Sequence, residues 1–425
     1  MEAPSLPRRV VITGLGLISP VGLNVPDAWR NVAAGKSGIG AITLFSTHDQ
    51  QVKIAGEAWG FKATDFMSAK EARRADRNVQ FAVAAAKEAL AQAGLVFPFG
   101  EAEGNEAGVL IGTGAAAIWT YTAQQAVLSQ HGPHRLSPLL IPMITVDSAS
   151  VQVGILTGAH GPNWGLAAAC STGSDAIGQA FEIIRRGDAA VMIAGGTEAA
   201  VTPLGIGGFD QMGALSRRND APAEASRPFD ADRDGFVLSE GAGVVILEAL
   251  EHAQARGARP LAEMLACANT TDATHLTTPD ETATQAARAI RLALQKAGLR
   301  PEEVDYINAH GTSTPLGDAA EVRALKRALG PEVAARIPMS STKSVTGHLM
   351  GGAASIEAIF SIMAICDQFV PPTINIFNQD PACDLNYTPN KGVSRPINHV
   401  MSNSFGFGGH NAVVIFGKYH ENGSK

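Results

Sequence analysis

A single cysteine stands where the chain could activate it as a nucleophile. Cys170 follows the small-residue run 165–169 and precedes Ser-Thr-Gly, where an apolar helical pattern starts. We predict a strand that ends at the cysteine and a helix that begins directly after it. The free N–H groups and dipole of a helix N-terminus stabilise an anion by up to about 2 kcal/mol. A lone cysteine is more often a buried structural residue, but this context favours a nucleophile whose thiol pKa is lowered towards neutrality.

Two histidines and a glycine-rich turn could complete such a site. His310 opens His-Gly-Thr-Ser-Thr-Pro after the strand pattern 304–309, and His348 ends Lys-Ser-Val-Thr-Gly-His before the helical pattern 349–365. Junctions between strands and helices are where α/β sheets collect functional groups. One histidine in such a place is more often structural, but two are harder to dismiss. The turn 402–409, Ser-Asn-Ser-Phe-Gly-Phe-Gly-Gly, could bring backbone N–H groups to a reacting carbonyl.

Alternating strand and helix patterns must position these residues, and they indicate an α/β fold. The first strand is predicted at 9–13, closed by Gly14 and Gly16. The segment 86–95 resembles 290–299, and each is predicted to be a helix that stops at a glycine. We therefore predict two similar halves, residues 1–258 with the cysteine and residues 259–425 with both histidines.

The bulk composition excludes several classes of protein. The 425 residues carry a net charge of −7 without a basic stripe, which argues against nucleic acid as a partner. The four cysteines form no CxxC pair, so we expect no metal site and a reducing compartment. Residues 1–9 show no signal peptide, and no apolar run comes near the roughly 20 residues of a membrane span. We expect a cytoplasmic protein with no membrane contact.

The order of these motifs is similar to that of the type II β-ketoacyl-[acyl carrier protein] synthases. The resemblance runs from Val-Ile-Thr-Gly-Leu-Gly at 11–16, through 227–243, to Gly-Gly-His-Asn-Ala at 408–412. It implies the thiolase fold, with two duplicated halves in five α/β/α/β/α layers. It also implies decarboxylative condensation of a cysteine-bound acyl chain with malonyl-acyl carrier protein in fatty acid elongation. No cofactor is implied beyond the phosphopantetheine that the carrier protein brings.

The resemblance also assigns roles to individual residues. Cys170 accepts the acyl chain, and His310 and His348 hold the malonyl thioester carbonyl. Lys343 orients the histidines and Glu357 supports them. The N–H groups of Cys170 and Phe405 form an oxyanion hole, and Phe405 also acts as a gate, although plain core packing is the alternative. The substrate contacts implied are Thr312 and Thr314 to the phosphopantetheine arm, and Ala115, Phe209 and Phe407 elsewhere.

A cluster of cations predicts where an acidic carrier protein docks. Lys70, Arg73, Arg74 and Arg77 lie in one segment, and Arg135 adds to them. A solvated helix face is the alternative, and the resemblance favours docking. Gly213 departs from the family by replacing an arginine that often helps in docking.

Other readings stay open. A ketosynthase of a type II polyketide pathway shares every catalytic residue and would pair with a chain-length-factor-like partner, whereas a fatty acid enzyme is expected as a homodimer. A non-catalytic subunit would lack Cys170, and a thiolase would replace one histidine site with a second cysteine. The residues leave the acyl chain length, its saturation and the particular carrier protein undetermined.

Overall fold

The protein is described by a computed structural model that covers residues 7–421. The predicted absence of a signal peptide concerned residues 1–9, most of which lie outside this range. Fourteen strands occur in the described range: β1 (Val10–Ile18), β2 (Gly40–Ala41), β3 (Ile54–Ala55), β4 (Ala107–Gly112), β5 (Asn163–Trp164), β6 (Val191–Glu198), β7 (Gly241–Ala249), β8 (Ala262–Thr271), β9 (Tyr306–Asn308), β10 (Met339–Ser340), β11 (Phe369–Val370), β12 (Val393–Ser394), β13 (His399–Gly406) and β14 (His410–Gly417).

Fifteen α-helices lie between these strands in the same range. They are α1 (Val25–Ala33), α2 (Ala69–Ala72), α3 (Arg77–Ala93), α4 (Glu101–Asn105), α5 (Ile118–His131), α6 (Leu140–Ile144), α7 (Ser148–Thr157), α8 (Thr172–Arg186), α9 (Pro203–Gln211), α10 (Leu250–Ala255), α11 (Thr284–Ala297), α12 (Pro315–Leu329), α13 (Pro331–Arg336), α14 (Lys343–Thr346) and α15 (Ala353–Asp367).

The two halves of the chain repeat one strand order. The main sheet runs β10-β9-β13-β14-β8-β1-β7-β6-β4-β5, and the contact between β1 and β8 joins its halves. Outwards from that contact, each half places its first strand, then its fifth, fourth, second and third. The division predicted between residues 258 and 259 falls between α10 and β8.

The helices pack in three layers around these strands. α3 lies on β1 and β7, and α11 lies on β8 and β14 at the corresponding outer position. α8 and α15 contact each other, and α15 touches β7 of one half and β13 of the other. The predicted fold, two duplicated halves in five α/β/α/β/α layers, is therefore confirmed. The repeated helices end as predicted, because Gly94 and Gly298 both adopt a left-handed φ of 69°.

The first strand is longer than the prediction. β1 continues through Gly14 and Gly16 to Ile18. A Cβ at these glycines would lie 2.1 Å from the Ala89 carbonyl oxygen and 2.0 Å from that of Ala85. The glycines therefore do not end the strand; they let α3 pack against its backbone.

One segment corrects the expectation about apolar runs. The 18 residues Met350–Asp367 are long and apolar enough to cross a bilayer by length and composition. However, 83% of this segment is buried inside the protein, between the two halves of the sheet. A buried core helix has the same composition, so the segment is only weak support for a membrane span.

Candidate active site

Cys170 lies at the start of the long central helix α8. It is buried in the short 3₁₀ helix Ala169–Ser171, and Ala169 before it adopts a positive φ of 48°. The predicted strand before the cysteine is wrong, because β5 ends at Trp164 and residues 165–168 are irregular. The predicted helix after it is confirmed. The strained residue indicates that the position of the thiol is imposed by its surroundings.

Burial dominates the acidity of this thiol. It raises the pKa of Cys170 to about 11, while the Phe407 N–H and the charge of Lys343 act in the opposite direction. The predicted lowering of this pKa is therefore wrong for the free enzyme, because the loss of solvation outweighs the helix N-terminus.

The proton of His348 is fixed by the backbone. Met350 donates its N–H to Nδ1 of His348 at 3.3 Å, so the neutral ring carries its hydrogen on Nε2. That Nε2 is buried and has no hydrogen-bond partner among the described residues. Burial, followed by the charge of Lys343, holds the pKa of His348 well below its usual range. The ring is therefore neutral and presents one unused N–H donor.

His310 is held in the same tautomer by Lys343. The ammonium nitrogen of Lys343 lies 3.4 Å from Nδ1 of His310 and donates to its carbonyl oxygen at 2.7 Å. An ammonium group can only donate, so the hydrogen of the neutral imidazole is on Nε2. Burial, then the charge of Lys343, holds the pKa of His310 well below its usual range.

Two buried glutamates support this arrangement. Lys343 forms an ion pair with Glu357, and both side chains are almost fully buried. Burial raises the pKa of Glu357 to about 7 despite the lysine. Glu321 accepts the N–H groups of His310 at 2.9 Å and Gly311 at 2.8 Å. Glu321 gave no signal in the sequence, and its position nearly two turns into α12 brings it back to the histidine.

The thiol and the two imidazoles meet at the base of one cavity. Cys170 Sγ and one ring nitrogen from each of His310 and His348 all lie within 4.8 Å of one another. The cavity has a volume of about 360 Å³, and these three residues line it. One nucleophile and two neutral N–H donors can thus act on the same bound molecule.

The predicted substrate contacts divide into two groups. Thr312, Thr314 and Phe407 line the cavity, and the two threonine hydroxyls lie 2.9 Å apart. Phe209 packs edge-on against Phe236, which lines the cavity, and against the apolar cluster that contains Cys170. Ala115 is exposed, does not line the cavity and donates its N–H to Glu198. Thr312, Thr314 and Phe407 therefore lie in the cavity with Cys170, Phe209 lies next to it, and the contact predicted at Ala115 stays a prediction.

The glycine-rich turn forms another wall of the cavity, and its two phenylalanines lie near different residues of the site. The backbone N–H of Phe407, in the 3₁₀ helix Phe407–Gly409, acts on the Cys170 thiol in the direction that lowers its pKa. Phe405 instead lies in β13, and its ring packs edge-on against that of His310 with centroids 6.0 Å apart. The oxyanion donor predicted at Phe405 stays a prediction, and Phe407 is a second candidate because its N–H acts on the Cys170 thiol.

Glu198 is a further residue of this region that the sequence analysis missed. It is fully buried at the end of β6, and burial raises its pKa to about 7. Its carboxylate accepts backbone N–H groups from Gly114, Ala115 and Gly351. A single glutamate at the end of a strand has no distinctive sequence pattern. Its partners Gly114 and Gly351 lie 84 and 153 positions away along the chain, so only the folded structure reveals these contacts.

The predicted docking cations lie on the surface, with one exception. Lys70, Arg73 and Arg74 are exposed in and after α2, and Arg135 is exposed at the end of a short 3₁₀ helix. None of these four forms an ion pair within the described residues. Arg77 is different: it pairs with buried Glu240 at 2.6 Å and lies over the Phe81 ring. It is a structural residue and not part of the exposed cluster.

Two family models match this chain. That for the β-ketoacyl synthase N-terminal domain matches residues 7–253, and that for the C-terminal domain matches residues 261–377. The 3-oxoacyl-[acyl-carrier-protein] synthase 2 of Synechocystis sp. is 51% identical over 412 residues, which are 97% of this chain and 98% of that protein. The enzyme of the same name from Staphylococcus aureus is 47% identical over 97% of this chain and 99% of that protein.

Solved structures resemble the chain over the same length. A ketosynthase in complex with a type II polyketide synthase acyl carrier protein and bound to a hexaketide superposes with a TM-score of 0.89 at 35% identity. The match covers 97% of this chain and 100% of that one. A β-ketoacyl synthase from Burkholderia phymatum gives a TM-score of 0.88 at 33% identity, with the same coverage of both chains.

Proposed function

The chain belongs to the β-ketoacyl synthase family, and from that premise we propose that it is a 3-oxoacyl-[acyl-carrier-protein] synthase of fatty acid elongation. It transfers an acyl chain to Cys170 and joins that chain to a two-carbon unit from malonyl-acyl carrier protein, with loss of carbon dioxide. The observation that carries the proposal is the meeting of one thiol and a ring nitrogen from each of two neutral histidines within 4.8 Å of one another.

Acyl transfer uses the thiol and the backbone donor next to it. Sγ of Cys170 attacks the carbonyl carbon of the incoming thioester, and the carrier thiol leaves with the proton that the cysteine gives up. The thiol is protonated at rest because burial raises its pKa to about 11. The N–H of Phe407 stabilises the sulfur as it becomes an anion.

Decarboxylation uses the histidines as donors. Breaking the bond between the malonyl carboxylate and its α-carbon releases carbon dioxide and leaves two electrons in an enolate. The Nε2–H groups of His310 and His348 point to where the enolate oxygen develops its charge. Each preorganised donor in such a site lowers the barrier by about 3 kcal/mol.

Condensation then returns the cysteine to its resting state. The enolate carbon attacks the acyl carbon on Cys170, the new carbon–carbon bond forms, and the carbon–sulfur bond breaks. The sulfur leaves as a thiolate and takes a proton from solvent. The product is a 3-oxoacyl thioester that is two carbons longer.

The proposal requires no metal and no bound cofactor. Cys170, His310 and His348 could surround an ion by distance alone. Each Nδ1 accepts from a group that cannot become an acceptor, namely the Met350 N–H and the Lys343 ammonium. Each Nε2 therefore keeps its hydrogen and offers no lone pair to a metal. The phosphopantetheine arm arrives with the carrier protein, and Thr312 and Thr314 line its path.

The surface and the relatives support a proposal about the partners. An acyl carrier protein docks near Lys70, Arg73, Arg74 and Arg135. A second copy of this chain covers an exposed apolar surface on the first half, formed by Tyr121, Ile141, Val151, Ile155 and Trp164. Both residues of the edge strand β5 are exposed beside it. We place the enzyme in the cytoplasm.

A polyketide ketosynthase is the second candidate function. One polyketide ketosynthase complex is structurally similar at 35% identity, against 51% for the 3-oxoacyl synthase of Synechocystis. Purification of the chain with its natural partners distinguishes the two, because a stable heterodimer with a chain-length-factor-like subunit would favour the polyketide role.

One experiment tests the proposed function directly. The purified protein is incubated with an acyl-acyl carrier protein and malonyl-acyl carrier protein, and intact mass spectrometry follows the enzyme and the product. We expect an acyl adduct on Cys170, release of carbon dioxide and a carrier-bound chain two carbons longer. Absence of both the adduct and carbon dioxide release would overturn the proposal.

A further inference from the structure

Glu198 occupies an unusual electrostatic position for a buried carboxyl group. It is fully buried at the end of β6 and has no ion pair within the described residues. It does not line the cavity that Cys170, His310 and His348 share. Its charge also disfavours the Cys170 thiolate. An uncompensated charge in such a place is costly, so the contacts it makes need an explanation.

These contacts link two segments that belong to different halves of the fold. One carboxylate oxygen accepts the N–H of Gly114 at 2.9 Å and that of Gly351 at 3.1 Å. The Ala115 N–H and the Thr113 hydroxyl complete the set at 3.2 Å each. The turn after β4 is thereby tied to the residues that precede α15.

The second of these segments controls His348. Gly351 directly follows Met350, whose N–H donates to Nδ1 of His348. Met350 adopts a positive φ of 47°, which an unbranched side chain reaches only at a cost. A Cβ at Gly351 would lie 2.4 Å from the Gly114 nitrogen. The segment is therefore pinned against the turn, with the carboxylate of Glu198 as its anchor.

We propose that Glu198 is a positioning residue for His348: it holds Gly351, and through Met350 it keeps the Nε2–H of His348 aimed at the reacting carbonyl. This inference rests on the proposed function. The second half contains a more direct version of this arrangement, because Glu321 accepts the N–H groups of His310 itself and of Gly311. Each imidazole donor is thus fixed through its backbone by a buried glutamate.

The test separates the two half-reactions. Carbon dioxide release from malonyl-acyl carrier protein reports on His348, and mass spectrometry of the Cys170 adduct reports on acyl transfer. In Glu198→Leu we expect decarboxylation to fall by about 100-fold, the cost of a misplacement of about 1 Å, with much less change in acyl transfer. In Glu198→Gln the carbonyl oxygen can still accept from Gly114 and Gly351, so we expect most of the decarboxylation to return.

The control is Glu88→Leu. Glu88 is a partly buried glutamate that accepts the N–H groups of Leu17 and Val25, and none of these three residues lines the cavity. We expect this variant to lose thermal stability as Glu198→Leu does, while it keeps the wild-type ratio of decarboxylation to acyl transfer. If Glu198→Leu does not fold, Glu198→Asp decides, because its shorter side chain withdraws from Gly351 and should lower decarboxylation selectively.

The remaining outcomes contradict the inference. Equal loss of both half-reactions in the Glu198 variants, or the same selective loss in Glu88→Leu, would mean that Glu198 only supports the fold. Failure of Glu198→Gln to restore decarboxylation would mean that the charge, and not the positioning, matters. If the wild-type enzyme itself released no carbon dioxide, the proposed function would fail instead.

Discussion

The backbone N–H of Met350 donates to Nδ1 of His348 at 3.3 Å, so the imidazole of His348 carries its hydrogen on Nε2. Lys343 has the same effect on His310. Both rings therefore enter the cavity as hydrogen-bond donors. Two neutral donors are suited to stabilising an enolate.

Removing either histidine should affect the two half-reactions unequally. In His310→Ala and His348→Ala we expect carbon dioxide release to fall by about 100-fold or more, the cost of one lost donor. Acylation of Cys170 should remain measurable by mass spectrometry. The exposed His48 provides the control variant His48→Ala. Equal loss of both half-reactions would instead indicate that the histidines activate the thiol or hold the fold.

Cys170 should be the only acyl acceptor. Cys170→Ala should carry no acyl adduct after incubation with the acyl-carrier substrate, whereas Cys267→Ala should be acylated like the wild type. Cys267 suits the comparison because it is also buried and its pKa is also raised to about 11. Condensation by the Cys170 variant would show that the nucleophile is elsewhere.

The reactivity of the thiol should rise with pH. Because burial raises the pKa of Cys170 to about 11, the thiol is protonated at neutral pH. As long as the pH is below that pKa, the thiolate fraction grows about tenfold for each pH unit of increase. The rate of alkylation by iodoacetamide should follow this slope between pH 6 and 9. A plateau near neutrality would mean that the helix N-terminus outweighs burial.

Decarboxylation should show a different pH profile. The pKa values of His310 and His348 lie well below 6.5, so both rings are neutral at pH 6.5 and above. We therefore expect carbon dioxide release to be insensitive to histidine titration from pH 6.5 upwards. The rate of carbon dioxide release is measured with one enzyme preparation from below pH 6.5 to the alkaline end of the range. A rise centred near pH 6.5 would contradict the neutral donor role.

The N–H of Phe407 can be removed without removing its backbone position. Gly406 has an extended ψ of 160°, which tolerates a following proline, and Phe407 is the first residue of its 3₁₀ helix. Phe407→Pro should lower acyl transfer by about 100-fold, whereas Phe407→Ala keeps the N–H and should be affected less. Phe405→Pro tests the alternative donor. Greater loss from the Phe405 variant would support the donor predicted at Phe405.

Charge reversal at Arg73 should weaken only the carrier-bound substrate. Arg73→Glu should raise the apparent KM for acyl-carrier substrate, and added salt should weaken the wild type. A small pantetheine thioester should be indifferent to both changes. Lys418→Glu is the control, since Lys418 follows the end of β14 that is about 25 Å from the cavity by strand length. Equal effects on both substrates would indicate a structural role.

The gate predicted at Phe405 stays a prediction, and its test includes the turn Phe407–Gly409 that follows this residue. Crystals of the free and the acylated enzyme should differ in the position of the Phe407–Gly409 turn. One unchanged position in both would count against movement.

The sequence predicted what local patterns determine. Cys170, His310 and His348 were found because each lies between a strand pattern and a helix pattern, and the two halves were found from a repeated helix end. The alternation Phe-Gly-Phe-Gly-Gly could not tell which N–H faces the thiol, because that depends on where β13 ends. Arg77 looked like a surface cation until Glu240, 163 residues away, was in place. Glu198 was missed for the same reason, since its meaning lies entirely in distant contacts.

The equivalence of α8 and α15 has a consequence for bond formation. Cys170 precedes one helix and His348 precedes the other, and both follow the third strand of their half. The two helices pack so closely that a Cβ at Gly173 would lie 2.5 Å from the Ser355 nitrogen. The acyl group on Cys170 and the enolate held by His348 are therefore positioned by equivalent segments of the two halves. The distance between them depends on the contact between α8 and α15. A substitution that shifts α8 relative to α15 would leave acyl transfer and decarboxylation intact and still abolish the condensation step.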